Sequence, residues 1–194
     1  MSGPVRIVVM ARYPEPGRCK TRLIPRLGAG GAAALHGRLA ERTVATVRAS
    51  GLPFEVWGTG AAPSAFAAWL GDVAIRAQPG GDLGARLRAA APPYPVIFLG
   101  TDAPDLAPRH LHAAAGALAS HDAVIGPAHD GGYWTLGLAA PADSLLTDIP
   151  WGTGEVYRMT RMRMEAAGMV PQVLETLHDL DRPGDLDRWP HLLP

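Results

Sequence analysis

The sequence predicts a three-layer α/β/α fold built on a mostly parallel sheet, and three observations carry that prediction. Short β-branched runs alternate with helical stretches, turn residues fall between them, and a length of 194 residues suffices for a single sizeable core. The expected organisation is one domain over residues 1–194, with no repeat, linker or low-complexity block.

Residues 5–10 (Val-Arg-Ile-Val-Val-Met) form an apolar run bounded by Pro4 and the Pro14/Pro16/Gly17 cluster, as a buried strand requires. Over residues 30–49 Ala34, Leu35, Leu39, Val44 and Val47 recur at helical spacing, with Arg38, Glu41, Arg42 and Arg48 on the wet side. A strand is expected over 54–58, a short helix over 63–70 and a third strand over 73–77. Asp82 suits the N-cap of a helix through Arg86 and Leu87. Residues 96–99 (Val-Ile-Phe-Leu) make the most apolar strand, expected at the centre of the sheet. A helix over 108–119, strands over 124–127 and 133–138, a helix over 155–167, an edge strand over 170–174 and a short helix over 183–189 complete the pattern.

Charge narrows the possible partners. Lys plus Arg equals Asp plus Glu at 18 each, so the chain has no long-range positive field for nucleic acid or an anionic membrane, and any anion site must be local. Cys19 is the only cysteine, which fits a reducing compartment, and the cytoplasm is the expected location. The N-terminal residues hold no apolar core of signal-peptide length, and no stretch approaches the roughly 20 apolar residues that span a bilayer.

In open α/β sheets ligands bind beyond the carboxyl ends of the strands, which directs attention to three segments. The first follows the first strand and carries Arg12, Arg18, Lys20 and Arg22 on a loop stiffened by Pro14, Pro16 and Gly17. Such a loop suits phosphates, because a stiff loop loses less entropy when a ligand orders it. A solvated basic turn is the alternative. Neither the P-loop spacing nor Gly-x-Gly-x-x-Gly occurs here, which weighs against ATPase and dehydrogenase readings. Cys19 reads as a packed residue, since no base accompanies it.

The second segment is Gly100-Thr101-Asp102-Ala103-Pro104-Asp105, after the most apolar strand. A carboxylate there faces the ligand crevice, a suitable place to hold Mg²⁺ or Mn²⁺ against two phosphates, so Asp102 is the leading metal ligand. Asp105 reads instead as a cap for the following helix. The third segment is Gly126-Pro127-Ala128-His129-Asp130-Gly131-Gly132-Tyr133-Trp134. Gly131 and Gly132 permit close backbone approach, Asp130 can bind a sugar hydroxyl or act as a base, and Tyr133 and Trp134 can stack on a ring. A purely structural turn is the competing reading. His129 has no companion at metal-ligand spacing and reads as a surface residue.

The order of these motifs is more specific than any one of them. Pro14 through Leu23, then Asp82-Leu83-Gly84-Ala85-Arg86-Leu87, Gly100 through Leu106, Gly126 through Tyr133, and Asp179-Leu180-Asp181-Arg182-Pro183-Gly184-Asp185-Leu186 together resemble a bacterial glycosyltransferase-like family. That family is the radical-SAM/selenodomain-associated or arsenosugar-biosynthesis type, of GT-A nucleotide-diphospho-sugar transferase fold. The resemblance implies phosphates against Arg12, Lys20 and Arg22, with Thr101 beside them and Lys20 also acting in catalysis. It implies a metal on Asp102 completed by Asp181 or Asp179, and a base or ribose near Asp82, Leu83 and Gly84. Asp130 would be the catalytic base, and Gly131, Gly132, Tyr133 and Trp151 would face the acceptor. The chain departs from the family pattern at Arg182 and Gly184, where Thr and Glu are common, and at Arg12, where Lys is common.

The implied function is a metal-dependent glycosyl transfer from a nucleotide-diphospho-sugar to a small acceptor. A nucleotidyl transfer joining a nucleoside triphosphate to a phosphorylated acceptor is the alternative, and a non-catalytic nucleotide-binding domain is a third reading. Oligomeric state stays open, with a homodimer among the options.

Overall fold

Seven strands form one mixed sheet in a computed structural model that describes residues 4–193. In chain order they are β1 (Arg6–Arg12), β2 (Phe54–Thr59), β3 (Ile75–Ala77), β4 (Val96–Leu99), β5 (Ala123–Pro127), β6 (Tyr133–Leu138) and β7 (Gln172–Val173). Their spatial order is β3-β2-β1-β4-β6-β5-β7, which puts β4 in the middle and β7 at an edge, as expected from their composition. All pairings are parallel except those of β6, which runs antiparallel to both β4 and β5. Five helices cover the sheet: α1 (Ile24–Ser50), α2 (Pro63–Leu70), α3 (Leu83–Ala90), α4 (Pro108–Ala117) and α5 (Val156–Ala166).

The period-2 alternation of side chains along a strand separates the core into two layers. Ile7, Val9, Ile97 and Leu99 pack with Val44 and Val47 of α1, Phe66 of α2 and Leu111 of α4. Val8, Val96 and Phe98 point the other way, onto Leu87 of α3 and Met164 of α5. The central strand β4 is buried on both faces, which is why it is apolar at every position.

The elements follow the expected order with shifted ends, such as Ile75–Ala77 for the strand expected over 73–77 and Gln172–Val173 for the one expected over 170–174. The first helix begins at Ile24 rather than residue 30, because Pro25 opens a first turn and Gly28, at φ 71°, allows the chain to kink and resume. The short helix expected over 183–189 is a 3-10 helix over Pro183–Arg188. Asp185 caps it, accepting from the backbone amides of Asp181 at 3.0 Å and Arg182 at 2.7 Å, so the departures at Arg182 and Gly184 leave the turn capped.

A third apolar cluster governs the placement of the site. Leu180, Leu186, Trp189 and Leu192 pack against Leu23, Ala32, Leu35 and Leu39, laying the C-terminal segment on the start of α1. Asp105 takes part in that closure rather than capping α4. It accepts from Trp189 Nε1 at 3.0 Å, while Ala107 stands at the α4 N-cap.

Candidate active site

The strand order reverses at β1, which has β2 on one side and β4 on the other, and a crevice opens where chains leaving β1 and β4 diverge. It has a volume of about 330 Å³, and its wall carries Arg22, Leu83, Asp102, Asp130, Gly132, Tyr133, Trp151, Asp179 and Asp181. Segments far apart in the chain therefore meet around one space.

Lys20 lies behind this wall, against two of its carboxylates. Its side chain is only 3% exposed, and its ammonium lies 2.6 Å from Asp102 Oδ1 and 3.7 Å from Asp181 Oδ1. It also donates to the Leu180 carbonyl at 2.6 Å, and the Leu180 amide in turn donates to the Asp102 carbonyl at 2.8 Å. These bonds clamp the Leu180 backbone and aim Asp179 and Asp181 into the crevice. Arg22 pairs with the second oxygen of Asp181. Asp102 keeps 51% of its side-chain surface open. Protein crowded around that carboxyl pushes its pKa up, but the charge and hydrogen bond of Lys20, with help from His36, outweigh the crowding and hold it below the ordinary carboxylate range.

Asp179 shows the opposite balance. Burial and then the charge of Asp130, followed by those of Asp185 and Asp102, raise its pKa above the usual value. Apart from its own amide, no protein donor reaches the Asp179 carboxylate among the described residues. The Asp130 carboxylate accepts from Gly132 N at 2.8 Å within its turn. Gly131, at φ 88°, fixes that turn: a Cβ on it would lie 2.2 Å from the Gly154 carbonyl. The Gly131 carbonyl accepts from Tyr157 N at 3.0 Å, tying the turn to α5.

Tyr133 and Trp151 meet edge to face, with centroids 6.4 Å apart, and form the apolar wall. Burial raises the Tyr133 pKa, and the nearby Thr160 hydroxyl offsets this only in part. The Tyr133 hydroxyl, Thr160 Oγ1 and Trp151 Nε1 are buried without hydrogen-bond geometry to any partner.

Other expected site residues lie elsewhere. Arg12 is exposed at the end of β1 and outside the crevice wall, while Thr101 is buried behind it. Asp82 caps α3 by accepting from Ala85 N at 2.7 Å, as its position predicts. Gly84 serves packing, since a Cβ there would come within 1.8 Å of the Leu146 carbonyl. His36 escaped the sequence reading. It is buried within α1 with Nε2 3.0 Å from the Arg12 carbonyl, and burial lowers its pKa despite that contact. His129 is exposed but has a companion, stacking on His178 with centroids 3.5 Å apart. Nothing in the local sequence announces either arrangement.

The donor set suits a hard divalent cation. Asp102 and Asp181 already converge on one cation, the Lys20 ammonium, and Mg²⁺ or Mn²⁺ commonly binds through one or two carboxylates plus water and substrate phosphates. Among the described residues no group of three or more His, Cys, Asp or Glu is arranged to hold a metal by protein ligands alone. The residues fit an ion that shares its coordination with a nucleotide. In addition, no helix among the described residues is long and apolar enough to cross a membrane.

A mixed seven-stranded sheet with its crevice at this switch point is the fold of the nucleotide-diphospho-sugar transferases. The chain belongs to the family DUF2064, described as uncharacterized proteins conserved in bacteria, whose pattern matches residues 43–153. Among solved structures it is similar to a protein of Desulfovibrio desulfuricans G20, provisionally described as a nucleotide-diphospho-sugar transferase. The two are 31% identical with a TM-score of 0.89, over 96% of this chain and 86% of that one. More remote likenesses show the fold alone. A nucleotidyl transferase from Methanothermobacter thermautotroptrophicus has 19% identity and a TM-score of 0.63, over 98% of each chain. Glucosyl-3-phosphoglycerate synthase from Mycobacterium tuberculosis, solved with Mn²⁺, uridine diphosphate and glucosyl-3-phosphoglycerate, has 12% identity and a TM-score of 0.59, over 97% of this chain and 75% of that one. A search of curated proteins gives no match to the chain.

Proposed function

We propose that the protein is a cytoplasmic, metal-dependent glycosyltransferase that moves a sugar from a nucleoside diphosphate to a small hydroxylated acceptor. The observation that carries this reading is the meeting of Lys20 and Arg22 with Asp102 and Asp181 in one crevice beyond β1 and β4. Glycosyl transfer expels a nucleoside diphosphate, so the protein's main task is to stabilise charge developing on phosphate oxygens. Lys20 and Arg22 are placed to do this from the side of β1. A divalent ion bound by Asp102 and Asp181 would supply the rest of the neutralisation. Leu83 offers the nucleoside an apolar contact at the start of α3.

On the opposite wall Asp130 accepts the proton of the acceptor hydroxyl as it attacks the sugar carbon. Gly132 holds that carboxylate in position, and Tyr133 and Trp151 give the acceptor an apolar face. This half of the crevice carries Asp130 and Asp179 and, among the described residues lining it, no Lys or Arg. A phosphorylated acceptor would meet two carboxylates there. That charge pattern favours a neutral hydroxylated acceptor, and agrees with the resemblance to arsenosugar-type transferases. Nucleotidyl transfer remains the second reading, because the fold is shared with a nucleotidyl transferase over the whole chain.

Incubation of the protein and Mn²⁺ with UDP-, GDP-, CDP- and ADP-sugars, and separately with the four nucleoside triphosphates, tests the choice. Release of a nucleoside diphosphate from one sugar donor, abolished by a chelator, is expected. Pyrophosphate release from a triphosphate would establish the nucleotidyl reading instead, and nucleotide binding without turnover of any donor would remove both.

A further inference from the structure

Lys20 is held where a metal-binding crevice needs its cation. Its backbone is left-handed, at φ 47° and ψ 42°, a conformation uncommon for a residue with a side chain. That backbone delivers the ammonium to three oxygens, those of Leu180 O at 2.6 Å, Asp102 Oδ1 at 2.6 Å and Asp181 Oδ1 at 3.7 Å. The ammonium donates to the first two of these oxygens, and Asp181, beyond hydrogen-bond distance, adds the attraction of its charge. The Lys20 side chain is 3% exposed, so water screens its ammonium poorly, while Asp102 keeps 51% of its surface open to the crevice and to an incoming ion.

A divalent ion approaching Asp102 in the free protein would share its carboxylate with this fixed positive charge. Like charges so close in a poorly screened site repel strongly. The ion is admitted at lower cost when a diphosphate arrives with it, because the phosphate oxygens supply the negative charge that both cations then share. Arg22 acts in the same sense on the far oxygen of Asp181.

Resting on the metal-dependent reading above, we infer that Lys20 is the resting counter-cation of the site: it holds Asp102 and Asp181 together in the free protein, disfavours a bare divalent ion, and makes metal entry depend on the nucleotide. Binding is then ordered. The diphosphate and the ion enter as a unit, and Lys20 turns part of its charge from Asp102 to the phosphates.

Calorimetric titration with Mn²⁺, backed by electron paramagnetic resonance of free Mn²⁺, tests this without any turnover. Wild-type protein should bind Mn²⁺ weakly alone and about tenfold or more tightly in the presence of UDP or GDP, the scale expected when a poorly screened charge is balanced. Lys20→Met should bind Mn²⁺ alone about tenfold more tightly than wild type, and gain less from the nucleotide. Lys20→Arg, which keeps the charge, should bind bare Mn²⁺ as weakly as wild type.

Equal wild-type affinity for Mn²⁺ with and without a nucleotide would overturn the inference even if Lys20→Met failed to fold. A folded Lys20→Met with no gain in Mn²⁺ affinity would overturn it as well, while leaving a metal site in place. Wild-type protein that takes up no Mn²⁺ with any of UDP, GDP, CDP or ADP would instead refute the metal-dependent reading itself.

Discussion

Two charge clusters sit at opposite ends of the same sheet, and only one of them is closed. At the amino ends of the strands Arg6 pairs with Glu55 at 2.6 Å and donates to the carbonyls of Ala90, Ala91, Pro92 and Pro93. Glu55 also accepts from Trp57 Nε1 at 3.0 Å and Arg76 Nε at 2.6 Å. The side chains of Arg6 and Glu55 are 13% and 15% exposed. Arg6 and Arg76 outnumber Glu55 by one charge there, but backbone carbonyls take up the remaining Arg6 donors. At the carboxyl ends Lys20 and Arg22 pair with Asp102 and Asp181, but Asp130 and Asp179 face the same crevice and, among the described residues, neither is in an ion pair. The difference teaches where stability and function divide. A cluster whose charged groups all find protein partners ties strands together, whereas carboxylates left without a cation leave work for a ligand.

Substitutions can break that comparison. Asp102→Asn should leave a folded protein whose donor turnover falls roughly 10²- to 10³-fold, the cost of losing one key electrostatic group. Steady-state release of nucleoside diphosphate checks it, and full turnover would remove Asp102 from the site. Arg6→Ala should cost about 3 kcal/mol in urea unfolding, since several carbonyls lose their donor and Glu55 loses one of its three partners, while turnover of the folded protein stays near wild type. A large fall in turnover would show that the two ends are not independent.

Gly131→Ala should follow, at about 2 kcal/mol, because it combines a left-handed backbone with a clash on the Gly154 carbonyl. Its signature is a loss of turnover together with stability, as the same turn positions Asp130.

Acid titration sharpens the contrast with the smallest effects. Burial pushes the Glu55 carboxyl up, but hydrogen bonds from Trp57 and Arg76 and the charge of Arg6 bring it below its ordinary value. Its stabilisation is present above about pH 4.3, the unfolded value, and fades as pH falls through the lowered folded value. Asp179 is raised, so its folded form prefers the proton, and ionisation at neutral pH opposes folding. Glu55→Gln should therefore destabilise at pH 7 and Asp179→Asn stabilise, both differences shrinking in acid, the second vanishing below about pH 3.9. Thermal melts from pH 3 to 7 measure both, and destabilisation by Asp179→Asn at pH 7 would refute the description of Asp179 as a carboxylate left without a cation.

The sheet was legible because burial on both faces writes itself into composition: Val96 through Leu99 can be little else than a central strand. The crevice was legible where function follows strand ends, as at Asp102 and Asp130. What could not be read depends on contacts remote in sequence. Asp105 looks like a local cap and instead holds Trp189, and His129 finds His178 only because residues 174–180 run alongside the turn after β5. The role of Lys20 was half visible: a basic loop suggests phosphates, but not that its lysine already rests on Asp102. Pro25 and Gly28 hid the start of α1, since both are ordinarily turn signals.

The clamp on Leu180 has a further meaning during synthesis on the ribosome. Lys20 emerges early, yet its carbonyl partner lies 160 residues downstream. A polypeptide halted before residue 179 would possess every strand and still lack Asp179 and Asp181. It would also leave Leu23, Leu35 and Leu39 uncovered, an apolar face open to chaperones and proteases. Both aspartates thus follow every strand of the sheet in the chain, and a product halted short of them lacks one wall of the crevice while exposing the face that would betray it.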